Sequence, residues 1–351
     1  MRLADLHCIV TGGAGFIGSH LVEGLLAAGG SVLVVDDFSS GNRKNLIKFL
    51  DHPCLDIAEA DIRDEQRMRE LFAGAHCVFH LACRNVRTSL RQPTQVHDVN
   101  ATGTLNTLKA AAAGGVQRYL YVSSSEVNGT ADLAPMPEDY HFRPETIYGA
   151  SKLTGEYYTQ VFHRAGWLET VIVRPHNAYG PREHYTGILG EVIPRFILKA
   201  LAGQPLLIYG DGSQTRDFTY VAETAAYLLR IMQNDNASGG TFNLCRGQEV
   251  SIREIAEFVL EITRSVSPLE HLPDRPSDVR RLYGDPSRLR ALLGDSPSVS
   301  IREGLKRTVD WFRANVPLDQ AVLDSMRSEN WREAAREPWL EAFSTTPKGR
   351  A

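Results

Sequence analysis

The fold is decided by the segment TGGAGFIGSH, residues 11–20. It follows the short β-branched run at residues 8–11 and opens an amphipathic stretch at residues 16–28. Read from Gly13, Gly15 and Gly18, it contains G-x-G-x-x-G. Glycines at such positions let the backbone turn tightly, approach a pyrophosphate and pack the next helix against its strand. The segment therefore predicts a strand, a phosphate-binding turn and a helix whose N-terminus faces an anion.

A carboxylate follows the next predicted strand. Asp36 comes directly after a run of valine and leucine, at the distance where an acidic residue meets the ribose of a bound dinucleotide. A carboxylate accepts hydrogen bonds from ribose hydroxyls and repels a 2′-phosphate, which favours NAD over NADP. Arg43 and Lys44 lie near in sequence and keep NADP open as a minority alternative. The other interpretation of the turn is a glycine-rich loop without a ligand.

Short β-branched runs alternate with longer amphipathic stretches through the first half of the chain. This alternation is typical of βαβ units and a parallel sheet. Strands are predicted at residues 8–11, 32–36, 77–81, 119–123 and 170–174, and helices at 16–28, 65–72, 96–113 and 149–165. Dense Pro, Gly and aromatic residues at 175–190 and 209–220 indicate loops that close over a ligand. Short elements are expected again at 222–232, 241–244, 252–262 and 301–312.

These patterns predict an α/β chain with a Rossmann-type, doubly wound parallel sheet and a smaller, discontinuous substrate-binding domain. The cofactor domain is expected at residues 1–175, with 218–245 returning to it. The substrate domain is expected at 176–217 and 246–315, followed by a tail at 316–351.

Composition narrows the class of protein. The chain has 351 residues, with 38 basic and 42 acidic side chains and a net charge of -4, so no bulk attraction for nucleic acid or an anionic membrane is expected. Its five cysteines form no CxxC or Cys/His pattern, which predicts free thiols and no metal site. No signal-peptide pattern or membrane-length apolar run is seen, so a cytoplasmic location is expected.

Tyr148 and Lys152 form Y-x-x-x-K inside a predicted helix, so their side chains share one face. A phenol has an ordinary pKa near 10, and a neighbouring ammonium stabilises the phenolate. We therefore expect Lys152 to lower the pKa of Tyr148 and to hold the nicotinamide ribose. Taken alone, a tyrosine and a lysine four residues apart on a helix are more often a solvated surface pair.

Two further segments carry candidate ligand groups. Ser124 follows a predicted parallel strand, where a ligand-facing hydroxyl belongs in an open α/β sheet, and it would orient the reacting sugar hydroxyl. Asp61 and Ile62 follow a later turn and would contact the adenine edge. The equal alternative for Asp61 is the N-cap of the helix that begins near Glu65.

Taken together, the chain resembles the extended short-chain dehydrogenase/reductase family, specifically its NAD-dependent nucleotide-sugar epimerases and dehydratases. The resemblance runs from Thr11 to about Phe312. It rests on TGGAGFIGSH (11–20), HLA (80–82), VNATGT (99–104), SSSEV (123–127), YGASK (148–152), RPHNAYGPR (174–182), GDGSQTRDFTYV (210–221) and RPSDVRRLYGDPSRLRALLG (275–294).

The resemblance implies a nucleotide-sugar substrate, NAD as cofactor and a homodimer formed through the helices that hold residues 100–113 and 148–165. It implies that the cofactor is held by Gly12, Gly15, Phe16, Ile17, Gly18, Asp36, Asp61, Ile62, Leu81, Ala82, Asn100 and Lys152. It implies that the substrate is held by Ser124, Tyr148, Asn177, Arg216, Arg275 and Asp278. For Arg216, a salt bridge to Asp217 is the alternative.

All reactions of such enzymes would begin with Tyr148 taking the C4 hydroxyl proton while the C4 hydride passes to NAD. The 4-keto sugar can then take the hydride on its other face, lose water from C5 and C6, or lose carbon dioxide if C6 is a carboxylate. Glu126 resembles the acid or base of decarboxylases and some dehydratases. The loops expected at residues 191–196 and 206–212 resemble those of 4-epimerases. We therefore place a 4-epimerase of UDP-glucose or UDP-glucuronate type first and keep the dehydratase and decarboxylase as alternatives.

A non-catalytic NAD-binding regulator on the same fold is a further alternative, which the presence of Tyr148 and Lys152 disfavours. The sequence also departs from the family's pattern. His176 stands where an apolar aromatic is usual and Asn128 where a tyrosine is usual, so we expect a more polar sugar pocket. Cys83, next to HLA, is expected to be a small packing residue near the nicotinamide.

Overall fold

The computed structural model describes residues 1–274 and 279–326, together with residues 328, 337 and 340. In chain order, its strands are β1 (His7–Thr11), β2 (Ser31–Asp36), β3 (Leu55–Glu59), β4 (Cys77–His80), β5 (Arg118–Val122), β6 (Thr170–Pro175), β7 (Ala178–Tyr179), β8 (Leu206–Tyr209), β9 (Thr215–Asp217), β10 (Thr219–Tyr220), β11 (Thr241–Leu244), β12 (Glu249–Ser251), β13 (Leu269–Leu272) and β14 (Arg281–Leu282).

The α-helices among these residues are α1 (Phe16–Ala27), α2 (Glu65–Phe72), α3 (Val86–Ser89), α4 (Pro93–His97), α5 (Thr104–Ala113), α6 (Ile147–Arg164), α7 (Val192–Leu201), α8 (Val221–Gln233), α9 (Ile252–Thr263), α10 (Ser287–Leu293), α11 (Ile301–Asn315) and α12 (Gln320–Ser325). None of these helices is both long and apolar enough to cross a membrane.

Seven parallel strands form the central sheet, in the order β11-β6-β5-β4-β1-β2-β3. Both β4 and β5 are buried along their whole length, as expected for strands covered on both faces. One face packs against α1 and α8, and the other against α2, α5 and α6. The sheet is therefore doubly wound, as the sequence predicts.

A second core lies beyond this sheet. Apolar side chains of α7, α9 and α11 pack together with β8 and with the aromatic residues Tyr179, Phe218 and Tyr220. The short sheet β12-β9-β14 and the pair β13-β8 complete this part. The domain boundaries given above stay a prediction.

Several elements differ from the sequence prediction, among them β3, α7 and the helix predicted at 96–113. Strand β3 was not predicted, because its sequence LDIAE mixes polar and apolar residues at the edge of the sheet. Helix α7 lies where a loop was expected; its Pro194 sits in the first turn, where proline is tolerated. The predicted helix at 96–113 is divided into α4, a π-helical segment at Asp98–Gly103, and α5.

Candidate active site

The glycine turn closes on itself so tightly that side chains do not fit. A Cβ at Gly18 would lie 2.1 Å from the carbonyl oxygen of Gly12, and one at Gly12 would lie 2.8 Å from the backbone nitrogen of Ala82. Gly12 also has a φ of +69°, which favours glycine. Gly12, Gly15 and Gly18 line the cavity, whereas Gly13 packs against the Val34 side chain. The glycines that line the cavity are therefore spaced G-x-x-G-x-x-G from Gly12, and Gly13 of the predicted pattern is not among them.

Asp36 lies at the end of β2 and faces the same cavity. Its two carboxylate oxygens accept hydrogen bonds from the backbone N–H groups of Ala14 and Phe38, both at 2.9 Å. Burial raises the pKa of this carboxyl. The Arg43 guanidinium pairs with Glu59 at 2.8 Å, and neither Arg43 nor Lys44 lines the cavity. Asp36 therefore fits the ribose of NAD, and neither Arg43 nor Lys44 is placed to hold a 2′-phosphate in this cavity.

Asp61 and Ile62 also line the cavity. Asp61 accepts a hydrogen bond from the backbone N–H of Arg63 and pairs with its guanidinium at 2.6 Å. The hydrogen bond from Arg63 lowers the pKa of Asp61. The N-cap of α2 is Asp64, so the alternative role of Asp61 as that cap is wrong. The other cavity-lining members of the cofactor set are Phe16, Ile17, Leu81, Ala82 and Lys152.

Asn100 lies behind the cavity wall. It is 1% exposed and sits in the π-helical segment. Its side-chain oxygen Oδ1 accepts a hydrogen bond from the backbone N–H of Arg84 at 2.7 Å. Its side-chain nitrogen Nδ2 donates to the backbone carbonyl of Arg84 and to Ser151 Oγ. Asn100 thus supports the loop after β4 without lining the cavity.

Tyr148 is placed by the start of α6, whose N-cap Thr146 accepts a hydrogen bond from the Gly149 N–H. Its hydroxyl makes a hydrogen bond with Ser124, at the end of β5. Lys152 follows one turn along, as predicted. Its ammonium donates to the Val122 carbonyl at 2.6 Å and lies 4.5 Å from the centre of the Tyr121 ring.

The electrostatics of this pair differ from the expectation. Burial raises the pKa of Tyr148 well above its ordinary value, and the neighbouring side chains of Cys83, Glu126 and Glu191 raise it further. Burial lowers the pKa of Lys152, while Cys83 and Glu156 oppose that change. The expected lowering of the Tyr148 pKa by Lys152 is therefore wrong for the protein alone, because desolvation outweighs the single cation.

A buried ion pair stands directly behind these residues. Glu156 lies one turn beyond Lys152, and its carboxylate accepts from Arg174 Nε at 2.8 Å, from Arg174 Nη2 at 2.7 Å and from Ser123 Oγ. The two side chains are 0% and 1% exposed. The pair joins α6, β6 and the end of β5, so it fixes the backbone on which Lys152 and Ser124 stand.

On the substrate side, Asn177 and Arg216 line the cavity. The buried side-chain nitrogen of Asn177 has no hydrogen-bond partner among the described residues, so it can donate to a ligand oxygen.

Asp217 accepts from the backbone N–H groups of Arg246 and Gly247, at 3.1 and 2.9 Å. Neighbouring strand residues face opposite sides, so the salt bridge to Asp217 is not the role of Arg216. Arg275 and Asp278 lie outside the described residues.

His176 and Asn128 do not line the cavity that the described residues enclose. His176 is 1% exposed and packs beside Gly284 and Asn243. Asn128 is 2% exposed, and its amide donates to the Tyr140 and His141 carbonyls. The expectation that they make the sugar pocket more polar is therefore wrong. Cys83 does line the cavity.

An ion pair joins two of the lining residues that the sequence did not predict. Arg87, in α3, and Glu191, before α7, form an ion pair at 2.5 Å across the cavity wall. They are 104 positions apart, and no local motif joins them. Only the three-dimensional arrangement brings the pair together beside Tyr148.

Comparison with known proteins agrees with this geometry. The family model described as GDP-mannose 4,6 dehydratase matches residues 9–308. The UDP-glucose 4-epimerase of Mycolicibacterium smegmatis is 36% identical over 88% of this chain and 99% of its own length. UDP-glucuronic acid decarboxylase 2 of Arabidopsis thaliana is 35% identical over 91% of this chain and 71% of its own length.

Among solved structures, the dTDP-glucose 4,6-dehydratase of Streptomyces venezuelae, crystallised with NAD bound, superposes with a TM-score of 0.85 and 30% identity. The match covers 90% of this chain and all of that chain. The similar proteins thus carry out epimerisation, decarboxylation and dehydration of nucleotide sugars at comparable identity.

Proposed function

Since the chain belongs to the GDP-mannose 4,6-dehydratase family within the extended short-chain dehydrogenases/reductases, we propose that it is a nucleotide-sugar 4-epimerase. It is an NAD-dependent enzyme, and its family and relatives act on nucleotide sugars. The observation that carries the proposal is the cluster of Tyr148, Ser124 and Lys152 at the carboxyl ends of the strands, in one cavity of about 730 Å³ with the glycine turn.

The roles follow from chemistry. NAD, when bound, supplies a hydride acceptor and donor at its nicotinamide ring. Tyr148 would accept the proton of the C4 hydroxyl and return it later, and Ser124 would orient that hydroxyl. Lys152 would turn from the Val122 carbonyl towards the nicotinamide ribose and stabilise the phenolate. Asn177 and Arg216 would hold the diphosphate, since an amide N–H and a guanidinium both donate to phosphate oxygens.

Epimerisation is favoured over dehydration because few of the described side chains near Tyr148 could act as a proton donor. Removing water from C5 and C6 needs a base and a separate acid for the leaving hydroxyl. In the segment after β5, Glu126 supplies the carboxyl group. Its neighbour Ser125 is not an acid and is buried, at 3% exposed. Glu191 is held by the Arg87 guanidinium, which favours its ionised form and makes it a poor proton donor.

Epimerisation of a neutral sugar is favoured over decarboxylation by charge. Two carboxylates, Glu126 and Glu191, act on Tyr148, and both line the cavity. The carboxylate of a sugar such as UDP-glucuronate would be repelled by Glu126, and by the part of the Glu191 charge that Arg87 does not offset. Within the UDP-glucose or UDP-glucuronate type, these charges support UDP-glucose. Glu126 is also the feature that would serve a decarboxylase or dehydratase, so it is the residue to test.

The deciding experiment is incubation of the enzyme with UDP-, dTDP- and GDP-sugars, including UDP-glucuronate, with products read by mass and retention time. An epimerase gives a product of unchanged mass and new retention time. Loss of water or of carbon dioxide would refute the proposal in favour of the dehydratase or decarboxylase.

Two variants sharpen that experiment. Tyr148→Phe should lower turnover at least about 100-fold, while Tyr157→Phe, on the exposed side of the same helix, should not. Glu126→Gln should change epimerisation less than about tenfold. A loss of about 100-fold or more would mean that Glu126 acts as an acid or base.

A further inference from the structure

We propose that Arg87 is a positioning residue that ties the loop at residues 181–191 to the loop after β4 and neutralises Glu191 beside Tyr148. The inference rests on the proposed function only in taking Tyr148 as the group that moves the proton. It does not depend on which product is formed.

All three nitrogen atoms of the Arg87 guanidinium donate hydrogen bonds. Nε donates to the Ile188 carbonyl at 2.6 Å, and Nη2 donates to the Leu189 carbonyl at 2.9 Å. Nη1 and Nη2 donate to the two carboxylate oxygens of Glu191, at 3.2 and 2.5 Å. Arg87 is 5% exposed. A planar fork with five donors makes this set, which a lysine ammonium cannot reproduce.

The pair connects two walls of the cavity. Arg87 stands on α3, whose N-cap Asn85 accepts from the Thr88 N–H, and the residues just before it, including Cys83, line the cavity. Glu191 occupies the N-cap position of α7 but makes no side-chain capping hydrogen bond there. Its carboxylate is turned to Arg87, so the contact serves the cavity wall rather than the helix end.

The charge of Glu191 matters because of its surroundings. Cys83, Ser124, Glu126 and Glu191 act on Tyr148 from three different segments, and among these residues only Ser124, through its hydrogen bond, favours the phenolate. Lys152 lies one turn along the same helix. A carboxylate near the phenol opposes removal of its proton, and a cation held against that carboxylate cancels part of the effect.

Arg87 pairs with Glu191 at 2.5 Å, and a second cation, Arg195, stands one turn along α7 and also lines the cavity. His184 has its pKa lowered by burial, so it is neutral. Glu183 is 5% exposed, and burial and Glu191 raise its pKa well above the ordinary value, so it adds no compensating charge. Loss of Arg87 would remove its cation from the Glu191 carboxylate that acts on Tyr148, and would also free the turn at Gly187–Leu189.

The test is the pH profile of turnover by the NAD-loaded enzyme, on whichever nucleotide sugar it converts. Arg87→Met should move the ascending limb upward by about one pH unit and lower the rate at pH 7 about tenfold, because one pKa unit is a tenfold change in the ionised fraction. Glu191→Gln should move the limb downward. Arg87→Lys, which keeps the charge without the fork, should lie between wild type and Arg87→Met.

The double variant separates charge from anchoring. With Glu191→Gln present, Arg87→Met has no uncompensated carboxylate to expose, so the limb should return to within about 0.3 pH units of wild type. If the double variant keeps the full shift of Arg87→Met, the neutralising role is refuted.

A matched control lies on the same loop. Arg182 pairs with Glu23 at 2.5 Å, with exposures of 10% and 43% against 6% and 40% for Arg87 and Glu191, and it does not line the cavity among the described residues. Arg182→Met should lower thermal stability by a similar amount and leave the limb in place. Equal shifts in Arg87→Met and Arg182→Met would overturn the proposal. A product other than an epimer would refute the proposed function and leave this shift unaffected.

Discussion

Gly18 and Gly15 both belong to the glycine pattern but differ in the space around them. A Cβ at Gly18 would lie 2.1 Å from the Gly12 carbonyl oxygen, and 2.8 Å from the Gly13 Cα. A Cβ at Gly15 would lie 3.1 Å from the same oxygen, with no other atom of the described residues within 4 Å beyond its neighbours in the chain. The first contact is with rigid backbone, so it cannot be relieved by a rotamer change.

Gly18→Ala should therefore destabilise the fold by about 3 kcal/mol and weaken NAD binding, whereas Gly15→Ala should cost less than about 1 kcal/mol. Denaturant unfolding without cofactor and NAD titration measure the two effects separately. Equal unfolding free energies for the two variants would contradict the packing of the turn.

At this scale the sequence predicts residues that belong to local motifs. The glycine turn, Asp36 and the Tyr148–Lys152 pair are visible because their spacing is short and fixed by one helix or one turn. Arg87 and Glu191 are not visible, because their contact depends on how two distant loops meet. The sequence also could not show that burial would outweigh Lys152 in setting the pKa of Tyr148.

Helix α6 and strand β6 are joined by the Glu156–Arg174 pair, which lies wholly inside the protein. Breaking a buried pair leaves one uncompensated charge in a medium that solvates it poorly. An exposed pair in the same chain offers the comparison. Arg302 and Glu261 lie 2.7 Å apart with exposures of 52% and 61%, where solvent screens most of the attraction.

Glu156→Gln should lower the free energy of unfolding by about 3–5 kcal/mol, and Glu261→Gln by less than about 1 kcal/mol. Chemical denaturation of the two variants at neutral pH measures the difference. If both cost the same small amount, the Glu156–Arg174 pair does not hold α6 against β6.

Elements with strong local patterns were predicted from the sequence, and elements with mixed patterns were not. The five predicted strands and helices α1, α2 and α6 follow clear periodicity and lie close to their expected bounds. Strand β3 has few apolar residues because it forms an edge of the sheet. Helix α7 was hidden by Pro194 and by glycines just before it.

The stability of the whole molecule should depend on pH through its buried histidines. Burial lowers the pKa of His176 and of His20 from about 6.5 to about 4. The unfolded chain binds their protons first as pH falls, so the stability is fully present above about pH 6.5 and is lost as pH falls towards about 4. For the fully buried His176, this linkage amounts to about 3 kcal/mol.

His176→Phe should therefore flatten the curve of unfolding free energy against pH between about 7 and 4. His141→Phe is the control, because the His141 side chain is 51% exposed, and its curve should follow wild type. Denaturant titrations at several pH values measure both. An unchanged slope in His176→Phe would mean that this histidine is not the group that titrates.

We expect a homodimer in solution, as the resemblance implies. The outer side of α6 exposes Tyr157 and Val161, which are 46% and 44% exposed, and Trp167 follows it at 62%. Tyr157 and Val161 are one turn apart and share a face. Light scattering at micromolar concentration should give twice the chain mass, and Val161→Glu should give the monomer. A monomeric wild type would refute this expectation.

Because β11 belongs to the central sheet, that sheet cannot be completed until the chain segments on the substrate side of the cavity have been made. This strand pairs with β6 at the edge of the sheet, yet it follows β7 to β10 in the chain, which lie outside that sheet. A ribosome that has released only the first two hundred or so residues has made an incomplete sheet, with the hydrogen-bonding groups of β6 bare and open to pairing with another chain. Genetic division of the protein into a cofactor half and a sugar half should therefore give aggregates, whereas a cut after β11 keeps the sheet whole.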